Sequence, residues 1–156
     1  MKESTCVYLI HDQKWLMLYR NRKKDDVNAG KYIGVGGKRE PGETILECAM
    51  REVKEETGLT MVNPECRGTV IFSYPHLSDE KIWIYTCKKW NGVLHDDDEG
   101  TLVWMDEKDI LNLDLWEGDR LFLKKLLMHE KEPFCFHLFY DENGNLLQWE
   151  EREEPE

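Results

Sequence analysis

Short apolar runs separated by polar turns make up most of the chain and predict β-strands. Residues 6–10 and 15–19 are apolar around the polar segment 11–14, which predicts a β-hairpin. Later runs rich in β-branched and aromatic residues predict further strands at 69–74, 82–87, 101–105, 134–140 and 146–149, with a turn at 141–145. Since strands dominate and only two helices interrupt them, the pattern predicts an α+β or mixed-sheet domain.

Two segments have the hydrophobic spacing of helices. In the first, Thr44 and Glu47 have the spacing of a capping box, helical spacing continues to Thr57, and Gly58 supplies the stop. The second, residues 119–129, carries leucine and phenylalanine at helix-like intervals. We therefore predict one helix after a glycine-rich loop and another near the C-terminus.

The length of 156 residues is typical of one compact domain. We predict a domain at 1–149 and a solvated acidic tail at 150–156. The chain has no apolar stretch approaching the roughly 20 residues of a membrane span, and its first residues lack the apolar region of a signal peptide. We expect a soluble cytoplasmic protein, either a monomer or a homodimer, with no membrane partner.

The charge balance disfavours nucleic-acid polymers as partners. Asp and Glu number 32 against 21 Lys and Arg, so the formal net charge is −11, whereas gripping a phosphate backbone requires clustered basic residues. The five cysteines are scattered without a C-x-x-C pair, which predicts reduced thiols rather than a disulfide framework or a zinc site.

The first predicted helix carries an unusual group of carboxylates. Glu52, Glu55 and Glu56 stand at i, i+3 and i+4, so they share one face, and they lie in the last turns, where the helix dipole disfavours anions. A divalent cation would relieve this repulsion, and oxygen ligands suit Mg²⁺ or Mn²⁺. The alternative is a solvated acidic face with ordinary i,i+4 pairs through Arg51.

The flanking loop favours the metal over the solvated face. Gly36 and Gly37 allow backbone to approach a ligand closely, and Pro41-Gly42 forms a tight turn that brings Glu43 to the helix start. A loop and helix that present carboxylates beside permissive backbone are typical of a metal–phosphate site.

Residues 37–59 resemble the Nudix box, G-x5-E-x7-R-E-U-x-E-E-x-G-U, where U is a bulky aliphatic residue. Every specified position matches: Gly37, Glu43, Arg51, Glu52, Val53, Glu55, Glu56, Gly58 and Leu59. The resemblance implies the Nudix fold, an α/β/α sandwich on a mixed sheet with a catalytic loop–helix–loop. It also implies hydrolysis, dependent on Mg²⁺ or Mn²⁺, of a nucleoside diphosphate linked to another group.

The same resemblance implies roles for the box residues. The metal ligands would be Glu52, Glu55, Glu56 and the Gly36 carbonyl, while Arg51 and Glu43 would orient the helix and loop. Glu55 is the expected general base, and Glu99 is the second candidate. Glu99 falls where related proteins carry a late acidic residue near the metals. The alternative for Glu99 is one more member of an acidic loop.

Outside the box, residues 30–38 and 115–119 resemble MutT-type diphosphatases of oxidised purine nucleoside triphosphates. The expected reaction converts 8-oxo-dGTP or a related purine triphosphate to monophosphate and pyrophosphate, as in nucleotide-pool sanitation. The expected substrate-binding residues are Thr5, Arg20, Lys23, Gly37, Lys38, Trp116 and Asp119, with Trp116 at the base and Asp119 on the purine edge. The chain departs from its relatives at Ile33, where they often carry Asn, and at Gly118, where they can carry a second Asp.

Three other functions remain open on sequence grounds. Pro75 falls sixteen residues after Leu59, near a spacing associated with ADP-ribose diphosphatases of the family. A non-catalytic Nudix-fold sensor is a second possibility, although such proteins usually lose box glutamates and none is missing here. A calcium-binding structural module is a third, without an EF-hand loop in the sequence to support it.

Overall fold

The computed structural model describes residues 1–22, 26, 28–96 and 100–153. These residues form ten strands, two α-helices and one 3₁₀ helix. The strands are β1 (Lys2–His11), β2 (Lys14–Tyr19), β3 (Tyr32–Ile33), β4 (Leu59–Val62), β5 (Glu65–Ser73), β6 (Glu80–Cys87), β7 (Lys89–Gly92), β8 (Thr101–Asp106), β9 (Phe134–Tyr140) and β10 (Leu146–Glu151). The helices are α1 (Ile45–Thr57), the 3₁₀ helix (Glu107–Asn112) and α2 (Asp119–Leu127).

Eight of these strands form one mixed sheet. Their order is β10-β9-β5-β6-β1-β2-β3, and β8 pairs with the other edge of β2. The β1–β6 and β5–β9 pairs are parallel, whereas the other pairs are antiparallel. Strands β4 and β7 form a separate two-stranded sheet. The mixed sheet with few helices confirms the predicted α+β class.

The central sheet is covered on both faces because alternate residues of its strands point to opposite sides. Val7 and Leu9 of β1 belong to the apolar cluster that includes Ala49 and Val53 of α1. Tyr8, between them, belongs to the cluster formed with α2. The sheet therefore lies between the two helices, and residues that are neighbours in sequence face different sides of the molecule.

Local sequence signals placed most elements correctly. The hairpin between β1 and β2 turns at Asp12 and Gln13, both with positive φ. In α1 the capping box of Thr44 and Glu47 is present in both directions, and Gly58 ends the helix with φ 83°. The predicted helix and its stop are therefore confirmed.

Several boundaries and short elements differ from the sequence prediction. Helix α2 ends at Leu127 rather than continuing to residue 129, since His129 adopts a positive φ that an α-helix cannot contain. Strand β10 runs to Glu151, so Glu150 and Glu151, predicted as tail, are paired with β9. The short elements β3, β4, β7 and the 3₁₀ helix were missed, because two to six residues are too few to show a period.

The sheet opens between β1 and β2, and this opening positions the site. The two strands pair only at their turn end, Ile10 with Trp15 and His11 with Lys14. Beyond that point the glycine-rich loop lies beside β1 instead, through isolated bridges of residues 4 with 38 and 7 with 35. The divergence leaves a cleft that reaches from the α1 side of the sheet to the α2 side.

Candidate active site

Arg51 organises the loop and helix of the predicted box. Its guanidinium donates to both carboxylate oxygens of Glu43, from Nε at 2.6 Å and from Nη2 at 3.1 Å. It also donates to Glu52 at 2.8 Å, to Glu55 at 3.2 Å and to the carbonyl of Lys38 at 3.1 Å. The hydrogen bonds from Arg51 are the main reason that the pKa of Glu43 falls to about 2. One arginine thus links the start of the helix, its acidic face and the preceding loop.

Two of the acidic side chains on α1 contact the glycine loop. Glu56 accepts a hydrogen bond from the Gly36 backbone N–H at 2.8 Å. The Glu52 carboxyl lies so close to Gly37 that a Cβ atom there would be 2.6–2.7 Å from the carboxyl atoms. A side chain at 37 would therefore displace the Glu52 carboxyl from its present position. Burial is the main cause that raises the pKa of Glu52, and the charges of Glu55 and Glu43 add to it.

The carboxylate oxygens on α1 are of the kind that bind a hard divalent cation, although they do not surround a common point. Among the described residues, no three acidic, histidine or cysteine side chains are grouped closely enough to hold a metal ion. Glu55 is largely exposed, and it shares the Nη1 nitrogen of Arg51 with Glu52. Glu52 and Glu56 are oxygen donors beside the Gly36 backbone, and half-buried Glu52 is crowded by like charge. The residues therefore fit Mg²⁺ or Mn²⁺ by the chemistry of their oxygen donors.

The cleft beside this face has a volume of about 550 Å³. It begins at Glu52 and Glu56, passes the glycine loop and ends against α2. The predicted site residues that line it are Thr5, Arg20, Gly36, Gly37, Lys38, Glu52, Glu56, Trp116 and Asp119. The structure thus brings together residues separated by more than 100 positions in sequence. Arg51 and Glu55 lie beside the cleft rather than in its wall.

Asp119 at the α2 end is buried without a partner. Only 7% of its surface is exposed, and its carboxyl forms no hydrogen bond with any described residue. Burial raises its pKa to about 7, and the charge of Lys31 opposes this only in part. A buried, unpartnered carboxyl that lines a cleft is typical of a ligand-binding group.

Trp116 is held in place from three sides. Its Nε1–H donates to Asn28 Oδ1 at 2.8 Å, the Lys31 ammonium lies 5.5 Å from its ring, and Tyr140 meets it edge to face at 5.8 Å. These contacts fix the plane of the indole at the wall of the cleft. The loop before α2 and the loop before β3 therefore cooperate to present one aromatic ring.

Residues 2–126 match the NUDIX domain family. The chain belongs to this family. It is a Nudix hydrolase, an enzyme of the class that cleaves pyrophosphate bonds in small nucleotide substrates. The fold is also that of a MutT protein of known structure, so the family resemblance seen in residues 37–59 is confirmed.

Relatives of the Nudix chain include enzymes named for oxidised purines. An oxidized purine nucleoside triphosphate hydrolase of Mus musculus is 30% identical over 152 residues, which cover 96% of this chain and 93% of that protein. A protein of the same name from Danio rerio is 32% identical over 112 residues, 70% of each chain. The crystal structure of a MutT protein from Bacillus halodurans matches with a TM-score of 0.88 and 27% identity, covering 99% of this chain and 100% of that one.

Packing explains one departure of this Nudix chain from its relatives. A Cβ atom at Gly118 would lie 2.4 Å from Leu138 Cδ1 and 2.6 Å from the Tyr140 hydroxyl, and that hydroxyl accepts a hydrogen bond from the Gly118 N–H at 2.9 Å. A side chain at 118 would therefore require the side chains of Leu138 and Tyr140 to shift. The second departure, Ile33, lines the cleft and makes its wall apolar at a position where relatives often carry the amide of Asn.

Three predicted substrate contacts have placements that sequence reasoning did not anticipate. The Thr5 hydroxyl lies 3.5 Å from Cys48 Sγ of α1 and so faces away from the α2 side. Arg20 lines the cleft while it pairs with Asp26 at 2.6 Å. Lys38 lines the cleft and has no ion-pair partner among the described residues, so its ammonium is available to a phosphate.

Sequence reasoning missed several residues that line the α2 half of the cleft. They are Ser4, Cys6, Asn28, Phe72, Tyr74, Glu80, Ile82, Ile84 and Phe122. The signal that could have found most of them is strand alternation, because 4 and 6, 72 and 74, and 80, 82 and 84 are spaced by two. The two-residue alternation does not show which face of each strand lines the cleft.

Other predicted residues lie elsewhere. Lys23 and Glu99 fall outside the described residues. Pro75 follows β5 and lines a separate shallow pocket with Tyr74, Phe139 and Leu147 rather than the main cleft. Neither α-helix in the described part of the chain has the length and apolar surface needed to traverse a bilayer.

Proposed function

We propose that the protein hydrolyses purine nucleoside triphosphates, 8-oxo-dGTP or a related oxidised purine among them, to the monophosphate and pyrophosphate in the presence of Mg²⁺ or Mn²⁺. The observation that carries this proposal is the continuity of one cleft from the acidic face of α1 to the buried Asp119 carboxyl. The names of the relatives from Mus musculus and Danio rerio support the same substrate class. The role would be to remove oxidised nucleotides from the cytoplasmic pool and so limit DNA damage.

The phosphate end of the cleft would bind the cation and the triphosphate. Glu52, Glu55, Glu56 and the Gly36 carbonyl would hold Mg²⁺, which would polarise phosphoryl oxygens and lower the pKa of a bound water. Lys38 would donate to a phosphate oxygen, and this cation offsets part of the negative field of a chain with net charge −11.

Proton transfer is assigned to Glu55. Its carboxyl is exposed and bonded to Arg51, so it can turn toward water without losing a buried contact. It would accept the proton of the water that attacks between the α and β phosphates, and the broken bond would release pyrophosphate. Arg51 acts as a positioning residue, since it holds the loop, Glu43 and the acidic face in one arrangement.

The base end would select the nucleoside. The Trp116 ring is fixed in plane and offers a stacking surface, which is sequence-tolerant because every base has a flat face. Asp119 would form the hydrogen bond that distinguishes a purine edge. At a pKa of about 7 this carboxyl is present in both protonation states near neutral pH, so it can donate or accept.

A nucleotide panel tests the proposal directly. The protein with Mg²⁺ is incubated with 8-oxo-dGTP, dGTP, dTTP, ADP-ribose and a diadenosine polyphosphate, and the products are separated by chromatography. We expect the purine triphosphates to give monophosphate and pyrophosphate in one step, with no turnover in excess chelator. Preferred cleavage of ADP-ribose, or orthophosphate as the first product from triphosphates, would overturn the proposal.

A further inference from the structure

A second carboxylate, Glu80, lines the α2 half of the cleft. Glu80 is the first residue of β6 and pairs across the sheet with Phe72 of β5, which lines the same wall. The Ser4 hydroxyl, itself buried, donates to Glu80 Oε2 at 2.5 Å. The carboxyl group is therefore anchored on one oxygen and held at the cleft wall.

The contacts of Glu80 leave it with unused hydrogen-bonding capacity. Ser4 is its one hydrogen-bonding partner in the described part of the chain, and no described lysine or arginine pairs with it. A carboxylate offers about four acceptor positions. Glu80 is half-buried, unlike the exposed acidic residues of the surface, and it lines the cleft, so a ligand there can reach its carboxyl group.

Tyr74 and Asp119 complete a polar set around an apolar slot. Asp119 is nine-tenths buried and has no hydrogen-bonding partner among the described residues. The pKa of Tyr74 rises to about 12, first through burial and then through the charges of Glu80 and Asp119, so the phenol stays protonated and can donate. The walls beside these groups are Phe72 and Ile82. Two carboxyls that can accept and one phenol that can donate, beside these apolar walls, match the edge of a base with amino or ring N–H groups.

We propose that Glu80 is a specificity-determining residue, whose carboxylate accepts a hydrogen bond from the exocyclic amino group of a 2-aminopurine base, with Ser4 as its positioning residue. The substrate class is thereby narrowed to guanine-type triphosphates over hypoxanthine-type triphosphates. This inference rests on the proposed function. It assigns recognition of the base edge to residues of β1 and β6 as well as to Asp119 of α2.

The experiment measures kcat/KM for dGTP, dITP and GTP in Glu80→Gln, Ser4→Ala and the unaltered protein. The nucleotide dITP lacks only the amino group, and GTP adds only a sugar hydroxyl. Loss of a hydrogen bond to a charged group predicts that Glu80→Gln lowers the dGTP-to-dITP ratio about tenfold or more. Ser4→Ala should lower the same ratio by a smaller factor, because the carboxylate remains but is less well aimed. Glu132→Gln, an exposed change outside the cleft, is the matched control.

Each outcome decides the inference. An unchanged dGTP-to-dITP ratio in Glu80→Gln would overturn it, and so would an altered GTP-to-dGTP ratio alone, which places Glu80 at the sugar. If thermal melting shows that Glu80→Gln is unfolded, the ratio in Ser4→Ala carries the same decision. Failure of the unaltered protein to hydrolyse all three triphosphates would refute the proposed function and this inference together. Hydrolysis with an unaffected ratio would refute this inference alone.

Discussion

The carboxylates at the two ends of the cleft differ in what surrounds them. At the α1 end, Glu43, Glu52 and Glu55 all accept hydrogen bonds from Arg51. At the α2 end, Asp119 has no hydrogen-bonding partner among the described residues, and its nearest opposing charge is that of Lys31. The first group is an ion-pair network, whereas the α2 end holds two carboxyls outside any ion pair in the described part of the chain, Asp119 and the Ser4-bonded Glu80.

This difference determines how each end responds to pH and to mutation. Ion pairing keeps Glu43 charged well below neutral pH, with a pKa of about 2, whereas burial moves Asp119 to about 7. Glu43 therefore keeps its charge over the physiological range, whereas Asp119 titrates within it. A buried ionisable group without a partner also lowers folding stability, so its presence at a cleft wall favours a functional reason for it.

The largest expected effect is at the α1 end. Removal of the divalent cation by a chelator should abolish nucleotide hydrolysis, and added Mg²⁺ or Mn²⁺ should restore it. Glu55→Gln keeps the shape of the side chain but removes the general base, so kcat should fall by roughly 10²–10⁴-fold with an unchanged melting temperature. Steady-state kinetics on Glu55→Gln and on the control Glu132→Gln provide the measurement. Full activity of Glu55→Gln would contradict its assigned role.

The second effect should separate activity from stability at Asp119. Asp119→Asn should lower kcat/KM for 8-oxo-dGTP relative to dTTP by about 10–100-fold, because a hydrogen bond to a charged group is lost. The folded pKa of about 7 lies above the ordinary value of 3.8, so the stability linked to this group is present below that ordinary value and is lost as pH rises through 7. The asparagine variant should therefore melt higher than the unaltered protein at pH 8–9 and show a smaller difference near pH 5.

Melting curves across pH 5–9, combined with the two-substrate kinetics, distinguish this account from simple packing. If Asp119→Asn melts lower at every pH and weakens every nucleotide equally, the carboxyl is a structural group and the contrast between the two ends disappears.

The third effect concerns the ring at the α2 end. Trp116→Ala should weaken all purine triphosphates by about 1–3 kcal/mol, the range of one base–aromatic stack. Asn28→Ala removes only the hydrogen bond to the indole, so it should cost about 0.5–1.5 kcal/mol in kcat/KM and leave pyrophosphate as the product. Steady-state kinetics with dGTP measure both changes. An effect of Asn28→Ala as large as that of Trp116→Ala would mean that Asn28 contacts substrate itself.

The smallest effect should be purely structural. Thr44→Ala removes the cap of α1 and should lower the free energy of unfolding by about 1 kcal/mol. Because Thr44 does not line the cleft, the substrate ratios should stay unchanged. Urea denaturation measures the first quantity, and the nucleotide panel measures the second. A change in the dGTP-to-dTTP ratio would show that the two ends are coupled through α1.

The α1 end could be predicted almost completely, because its signals are local. The cap at Thr44, the stop at Gly58 and the shared face of Glu52, Glu55 and Glu56 all follow from spacings within one loop and one helix. Glycine at 36 and 37 indicated close backbone approach, and the contacts of Glu56 and Glu52 with this loop agree with that interpretation. Sequence spacing suggested an i,i+4 pair of Arg51 with Glu55, but it could not show that the same nitrogen, Arg51 Nη1, also donates to Glu52.

The α2 end could be predicted only by resemblance, and then only at Trp116 and Asp119. Thr5 was selected from β1, whereas its neighbours Ser4 and Cys6 line the α2 half and Thr5 turns toward α1. Glu80 was not singled out at all. These residues come from strands that are distant in sequence, and alternation along each strand does not say which face meets the cleft.

By itself, the sequence determined the family, the α1 loop and helix, the acidic face and the general course of the strands, because each of these depends on residues a few positions apart. Only the folded chain could show the opening between β1 and β2, the burial that shifts the pKa of Asp119, the close packing of Leu138 and Tyr140 against Gly118 and the hydrogen bond from Ser4 to Glu80. Each of these arises from contacts between elements that only the register of the sheet brings together, and burial is a property of the whole fold rather than of any one segment.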